Sequence, residues 1–316
     1  MKKAIKILVW TLGIVLLLIL SFVAFIKFKS LPDYQTVELK TVNVSSTPTQ
    51  IALGKKLVEL NCAGCHRPEG RQFVGGLFED IAANKAFGDI YVPNITKDKE
   101  SGIGNYTEAE LYRLFRTGVK KNGKVMLPVM PRFVLMADED INAMIAYLQS
   151  DDLGVQATAT DYPNYKPSLV AKGLLSFVFK PYPYQDNYEE KPAITNTLAH
   201  GEYLVNAQLG CYMCHSESLE SWDLQNPKNT PGYLGGGTAF PNAEYTAVSP
   251  SILMDGKSDV SKWTEDEFLA AVMFGQRKGK PAYLKPMHPY PSLDSLEVRN
   301  IYAYIKDYSE SIASSD

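Results

Sequence analysis

The sequence predicts an all-α protein, with two tandem helical domains behind an N-terminal transmembrane helix. Three observations support this: an uncharged N-terminal stretch, apolar residues at helical spacing, and an internal repeat. The predicted segments are a transmembrane anchor over 1–29, a linker over 30–47, a first domain over 48–150, a proline- and tyrosine-rich connector over 151–196, a second domain over 197–309 and a tail over 310–316.

The N-terminal stretch 7–26 carries no charge and is bounded by Lys6 and Lys27. At about 1.5 Å per residue it would span a hydrocarbon core of about 30 Å. A cleaved signal peptide is the alternative, but the run is longer than a usual apolar signal region and has no small-residue cleavage site. The slight excess of positive charge before the run favours a cytoplasmic N-terminus. We therefore expect a single-pass protein of the bacterial cytoplasmic (inner) membrane, with everything after Phe28 in the periplasm.

The overall charge gives little information about the partner. Lys and Arg number 32 against 35 Asp and Glu, for a formal net charge of −3. Such a balance gives no global field that would attract nucleic acid or an anionic membrane.

An internal repeat relates the two halves: residues 93–148 align with 250–305 without a gap. Thr107 and Thr264 occupy the same position in it, and each is followed three residues later by a glutamate. This pattern predicts a capping box at the start of a helix in each half.

Each half is also predicted to begin and end with a helix. Closing helices are expected over 139–149 and 296–308, from their apolar stripes. Gly54 and Gly201 lie in the opening helices, where the lack of a Cβ would allow a close crossing of the first and last helices.

The strongest chemical signal is a pentapeptide that occurs twice, Cys62-Ala63-Gly64-Cys65-His66 and Cys211-Tyr212-Met213-Cys214-His215, and uses all 4 cysteines. In this pattern two thiols reach the two vinyl groups of one porphyrin, and the adjacent imidazole binds the iron. It predicts two covalently bound haem c groups, held by Cys62, Cys65, Cys211 and Cys214, with His66 and His215 as the proximal iron ligands.

Two alternatives explain the cysteines less well. Four-cysteine zinc sites usually place their two CxxC pairs some 15 to 20 residues apart, whereas these pairs are far apart in the chain. A thioredoxin-like pair calls for a βαβ setting. Neither accounts for the two histidines.

The repeat also suggests the second iron ligand in each half. Of 9 methionines, Met130 and Met287 share the same register, and both lie in proline-flanked loops. The alternative is that a methionine fills a gap in the core. His288 is the second choice at the second haem, and His200 is expected to cap or pack against its helix.

Several short segments of the first half form a recognisable set: Pro93-Asn94-Ile95-Thr96, Gly102-Ile103-Gly104, Arg113, Arg116-Thr117-Gly118, Met130-Pro131, and Asp138-Glu139-Asp140 with Ala146-Tyr147-Leu148. With these segments the chain resembles the cytochrome c subunits of membrane-bound alcohol, sorbitol and gluconate dehydrogenases. The resemblance is close over about 50–150 and looser over 197–308, although members of that family usually carry three haem domains.

The resemblance implies two tandem class I cytochrome c domains, His/Met haems, and electron transfer toward a quinone or an oxidase. By the same analogy Tyr106 and Trp263 would donate to haem propionates and Asn94 would help to fix that edge. The alternative for the two aromatic rings is a hydrophobic staple before a helix.

The connector contains a shorter apolar segment, 169–179, about half the length needed to span a bilayer. It could lie at the membrane surface or pack on a domain, and its low charge favours packing. Basic residues recur before both methionines and could steer an acidic partner or simply be solvated: Lys120, Lys121 and Lys124, and Arg277, Lys278 and Lys280.

Together these patterns predict a membrane-anchored dihaem cytochrome c that transfers electrons in a periplasmic respiratory chain and is not an enzyme by itself. Its redox partners would be a dehydrogenase, a quinol-oxidising complex or a terminal oxidase, and it could be the cytochrome subunit of such a complex. The alternative is a dihaem cytochrome c peroxidase, which would need one iron open to peroxide.

Overall fold

The protein is described by a computed structural model that covers residues 2–70, 72–78, 87–163, 165–241, 246–277, 279–281 and 287–314. Within these ranges the chain is mostly helical, as predicted. In chain order the helices are α1 (Lys2–Phe28), α2 (Pro48–Asn61), α3 (Ala63–His66), α4 (Glu108–Thr117), α5 (Asp138–Leu148), α6 (Leu169–Phe177), α7 (Thr197–Tyr203), α8 (Cys211–Cys214), α9 (Glu265–Phe274) and α10 (Ser295–Ala313).

Two small antiparallel sheets were not predicted. The strand β1 (Gly76–Leu77) pairs with β2 (Tyr91–Val92), and β3 (Ala239–Pro241) pairs with β4 (Thr246–Val248). These strands have only two or three residues each, too few for a period-2 pattern to appear in the sequence.

Helix α1 is long and apolar enough to cross a membrane, by length and composition alone, and none of its residues is buried. No other helix within the described ranges meets those criteria. A signal sequence near the N-terminus would meet them as well.

The two predicted capping boxes are both present. The Thr107 hydroxyl accepts from the Glu110 N–H at 3.2 Å, and the Thr264 hydroxyl accepts from the Glu267 N–H, also at 3.2 Å. The glutamate side chain returns a bond to the cap residue in each case. The repeat therefore encodes the starts of α4 and α9 locally.

The closing helices were predicted with different success. Helix α5 lies within one residue of the prediction at each end, but α10 continues to Ala313 instead of ending at Tyr308. The helix therefore extends into the segment predicted as a tail over 310–316. Ser309 is buried and accepts the Met254 N–H at 2.8 Å, which ties the added turn to the body of the protein.

Helices α2 and α5 cross closely at Gly54, and α7 and α10 cross closely at Gly201, as predicted. A Cβ on Gly54 would lie 1.8 Å from the Ala143 carbonyl oxygen, and one on Gly201 would lie 2.0 Å from that of Asn300. Real Cβ atoms essentially never approach another atom that closely. Both crossings therefore require glycine.

Each crossing lies beside a cluster of buried side chains. We call residues 48–150 the N-terminal half and residues 197–313 the C-terminal half. The N-terminal cluster includes Leu57, Val58, Ile141, Ile145 and Tyr147, and the C-terminal cluster includes Leu204, Val205, Val298, Ile301 and Ile305.

Buried polar contacts join the two halves. The Tyr203 hydroxyl donates to Asp140 at 2.7 Å and accepts the Ala137 N–H at 3.1 Å. Asp140 is fully buried and also pairs with Lys191 of the connector at 3.1 Å. A buried carboxylate with two partners favours one arrangement of the halves over others.

The predicted linker has no helix or strand over 30–47, all of which the structure describes, yet it contacts the N-terminal half. The Tyr34 N–H donates to the Gly123 carbonyl at 2.8 Å, and Val42 and Val44 pack against the N-terminal cluster. Of the basic residues near the predicted methionine ligands, Lys124 bonds the Leu31 carbonyl at 3.1 Å. Lys278 lies outside the described residues.

Candidate haem-binding sites

Each CxxCH motif forms a single helical turn at the end of a longer helix, as predicted. The His66 N–H donates to the Cys62 carbonyl at 2.8 Å, and the His215 N–H donates to the Cys211 carbonyl at 2.9 Å. In the C-terminal half α7 runs into a π-helical segment (Leu204–Gln208) before the motif. One turn thus carries two thiols and an imidazole in each half, and none of the 4 cysteines, all of which the structure describes, forms a disulfide.

Both histidine rings are held by the same hydrogen bond. His66 Nδ1 lies 2.8 Å from the Pro93 carbonyl oxygen, and His215 Nδ1 lies 2.8 Å from that of Pro250. A carbonyl can only accept, so Nδ1 carries the proton and Nε2 keeps its lone pair. Such a bond fixes the tautomer and the ring orientation of a metal-binding histidine.

Burial keeps both rings neutral. His66 and His215 are only 4% and 9% exposed. Burial lowers the pKa of His66 to about 4 and also lowers that of His215, while the bonds to Pro93 and Pro250 oppose the shift. A neutral imidazole is the form that binds iron, because the ligand must be deprotonated at its donor nitrogen.

A glycine after each motif bonds the backbone of the motif's histidine, and sequence reasoning missed it. Gly75 and Gly236 donate their N–H groups to the carbonyls of His66 and His215, at 2.8 and 3.0 Å. Both have positive φ, and a Cβ would lie 2.1 Å from the Val92 oxygen at Gly75 and 2.4 Å from a backbone atom at Gly236. The available signal was that a run of glycines follows both motifs, Gly75-Gly76 and Gly235-Gly236-Gly237.

The predicted sixth ligands lie in loops. Met130 is partly buried and packs against the N-terminal cluster. Its carbonyl accepts from Arg132 Nη1 at 3.0 Å, and the same guanidinium bonds the Leu127 and Met126 carbonyls at 3.1 and 2.6 Å. Arg132 is a second residue that sequence reasoning missed, since it has no counterpart in the repeat. It fixes the backbone that presents Met130.

Met287 is also partly buried, whereas residues 282–286 before it lie outside the described residues. The neighbouring His288 is exposed and lies beside the first motif: a Cβ on Gly64 would be 3.8 Å from its Cε1. His200 is buried and receives a hydrogen bond at Nδ1 from Asn300 at 3.1 Å, so it packs within the C-terminal half.

The residues predicted near the propionates have mixed surroundings. Asn94 is buried, and its amide donates to the Thr158 carbonyl at 2.7 Å while its oxygen accepts the Thr96 N–H at 2.8 Å. Tyr106 and Trp263 are partly buried against the N-terminal and C-terminal clusters, each just before a capping threonine. Propionate contacts by these three side chains stay predictions.

The donor set fits covalent haem better than zinc. In both motifs two thiols lie in the same turn as a neutral, oriented imidazole, which is the arrangement that thioether attachment and iron ligation require. Within the described residues no group of three or more His, Cys, Asp or Glu side chains could hold a metal ion alone. The zinc alternative gains no support.

This fold and these motifs define a c-type cytochrome domain, and comparison with known proteins agrees. Residues 51–151 match the cytochrome c family model. The N-terminal half is therefore a cytochrome c domain, a type of domain that binds haem c covalently through cysteine thiols and ligates its iron with a histidine.

The chain is homologous to cytochrome c subunits of dehydrogenases. It is 29% identical over 225 residues (68% of this chain, 45% of the relative) to the alcohol dehydrogenase (quinone) cytochrome c subunit of Gluconobacter oxydans. It is 30% identical over 233 residues (71% and 50%) to the gluconate 2-dehydrogenase cytochrome c subunit of Pantoea cypripedii. It is 26% identical over 293 residues (85% and 56%) to the fructose dehydrogenase cytochrome subunit of Gluconobacter japonicus. The chain spans about half the length of these relatives.

Proposed function

We propose that this chain is a membrane-anchored dihaem cytochrome c that transfers electrons in a periplasmic respiratory chain, as the cytochrome subunit of a dehydrogenase complex. The observation that carries the second haem is the matching bond from His215 to the Pro250 carbonyl, 2.8 Å long as in the N-terminal half. Two halves that orient a buried imidazole in the same way support the same ligand chemistry in both.

In each half the thiols of the motif would hold the haem and the histidine would bind its iron. The iron supplies a one-electron couple between its ferrous and ferric forms. Met130 and Met287 complete the coordination in this proposal, and a thioether ligand raises the reduction potential. No substrate bond is made or broken by residues of the chain.

Residues of the chain would hold the iron ligands in the same positions in the ferrous and the ferric state. The carbonyls of Pro93 and Pro250 fix the proximal rings, and the Arg132 guanidinium fixes the loop of Met130. Preorganised ligands limit the rearrangement that accompanies each electron. Rigid coordination suits an electron carrier.

The names of the relatives support a dehydrogenase as the electron donor, and the name of the alcohol dehydrogenase (quinone) subunit supports a quinone as the acceptor. They give no support to the peroxidase alternative. Helix α1 supports an anchor in the cytoplasmic membrane. The positive charge before its apolar run is slightly larger than that of Lys27 and Lys29 after it, which favours a cytoplasmic N-terminus and both halves on the periplasmic side.

Optical and magnetic spectra of Met130→Ala and Met287→Ala test the ligand assignment. Each substitution should convert one six-coordinate low-spin haem into one that binds carbon monoxide, and leave the other unchanged. Met126→Ala, in the loop that leads to Met130, is the matched control and should leave both haems six-coordinate. Unchanged spectra in either ligand variant would refute that assignment.

Purification in mild detergent tests the complex. We expect a dehydrogenase to copurify with the chain and its substrate to reduce both haems without added mediator. Rapid peroxide turnover by the half-reduced protein would instead favour the peroxidase alternative.

A further inference from the structure

Helix α6 in the connector presents its apolar side to the exterior. Lys172 and Ser176 lie away from that side, which is the reverse of a helix that packs on a soluble domain. Ala171 and Leu175 are buried, so the helix is nevertheless seated on the protein. Over residues 169–178, α6 and the residue after it, the exposed side chains are all apolar and between 47% and 59% exposed: Leu169, Val170, Phe177 and Val178.

The exposed side of α6 is continuous with the end of α1. The Phe177 ring lies 6.5 Å, centroid to centroid, from the rings of both Phe22 and Phe25. Lys172 Nζ donates to the Lys27 carbonyl at 2.6 Å. Helix α6 therefore meets α1 at the point where the apolar run of α1 ends.

The position of this contact along α1 indicates how deep α6 would lie in the membrane. Phe22 precedes Lys27 by five residues, or roughly 7 to 8 Å along a helix. A helix of 9 residues is only about 13 Å long, too short to cross about 30 Å of hydrocarbon. Amphipathic helices that lie in a membrane surface are buried by about 5 to 10 Å, which matches this depth.

Basic side chains surround the same junction. Lys29 Nζ lies 5.5 Å from the centroid of the Phe25 ring and 5.8 Å from that of Phe177. Lys27, Lys172 and the exposed Lys180 lie close to it in the chain or in space. Lysines beside an apolar helix face are suited to anionic phospholipid headgroups.

We infer that α6 is a second membrane contact, which lies in the outer surface of the cytoplasmic membrane beside α1 and inserts Val170, Phe177 and Val178 among the lipid chains. This inference rests on the proposed anchoring by α1. The flanks of α6 are bound to the N-terminal half: Tyr165 donates to the Phe87 carbonyl at 2.7 Å, and Tyr182 N–H donates to that of Thr117 at 3.1 Å. Helices α1 and α6 together would therefore hold that half in one orientation on the membrane.

Photo-cross-linking in vesicles tests the contact with the full haem-loaded chain. The probe is p-benzoylphenylalanine, placed at Val178 or Val170 on α6, at Leu16 within α1, and at Leu296 on α10. Leu296 is the matched control, an exposed apolar side chain of the C-terminal half at 45% exposure. The vesicles contain phosphatidylethanolamine and phosphatidylglycerol, and mass spectrometry measures the lipid adduct.

The expected result is an adduct at Leu16, Val170 and Val178 that exceeds the Leu296 yield by about tenfold or more, because only the first three positions meet acyl chains. An adduct at Leu16 with yields at Val170 and Val178 no higher than at Leu296 would overturn the second contact and leave the anchor intact. No adduct at Leu16 would overturn the anchor and the second contact together. The readout is independent of the number of haems.

Discussion

Gly54→Ala should destabilise the N-terminal half through one methyl group. The added Cβ would lie 1.8 Å from the Ala143 carbonyl oxygen and 2.9 Å from the Tyr147 Cβ. To bring the shorter contact to 3.0 Å, the limit that real Cβ atoms respect, helices α2 and α5 must move apart by 1.2 Å.

The loss in free energy of unfolding can be estimated from this shift of the two helix backbones. Overpacking that shifts backbone belongs at the upper end of the range, about 3 kcal/mol. The higher helix propensity of alanine stabilises the helix by about 1 kcal/mol relative to glycine and offsets part of this loss. The net loss is therefore about 2 kcal/mol, which corresponds to roughly 8 to 16 °C in the melting temperature of a domain of about 100 residues.

Scanning calorimetry of the matured protein measures this loss, with haem absorbance followed in parallel. Gly201→Ala, whose Cβ would lie 2.0 Å from the Asn300 carbonyl oxygen, should lower the stability of the C-terminal half by a similar amount. Gly173→Ala is the control, because its Cβ would meet Ile26 at an ordinary 3.6 Å. A Gly54→Ala protein as stable as wild type would refute the close crossing.

Three further predictions concern stability. Tyr203→Phe removes the hydroxyl that bonds the buried Asp140 and should lower the free energy of unfolding in urea by about 1 to 3 kcal/mol; an unchanged value would contradict the role of this contact. Burial lowers the pKa of His200, so the unfolded chain binds a proton that the folded chain resists, and stability should fall as pH drops below about 6.5. His200→Gln should make that fall shallower, and an equally steep pH profile would contradict the assignment. Thr264→Ala should cost about 1 kcal/mol through loss of its cap, as should Thr107→Ala, and a loss near zero in calorimetry would count against the capping boxes.

Features encoded by neighbouring residues were the ones the sequence revealed. The capping threonines act over three residues, and each CxxCH motif closes within one turn, so both could be predicted from local spacing. The glycine crossings could be predicted because the repeat placed Gly54 and Gly201 in equivalent helices. A duplicated pattern supplies a second, independent copy of the same constraint.

Features that depend on distant partners were missed. The bond from Gly75 to the His66 carbonyl and the three carbonyls bound by Arg132 exist only after the loops have folded together. Helix α10 was predicted too short because Ser309 is held by Met254, a residue far away in the chain. The packing of α6 against α1 was missed for the same reason, because each segment taken alone shows only an apolar run.

The mass of the intact, matured chain tests the central claim most directly. After expression in a host that attaches haem c, we predict the mass of the polypeptide plus two haem groups, with peptide mapping that places one at Cys62 and Cys65 and the other at Cys211 and Cys214. A chain that carries a single haem, or none, would contradict the dihaem account.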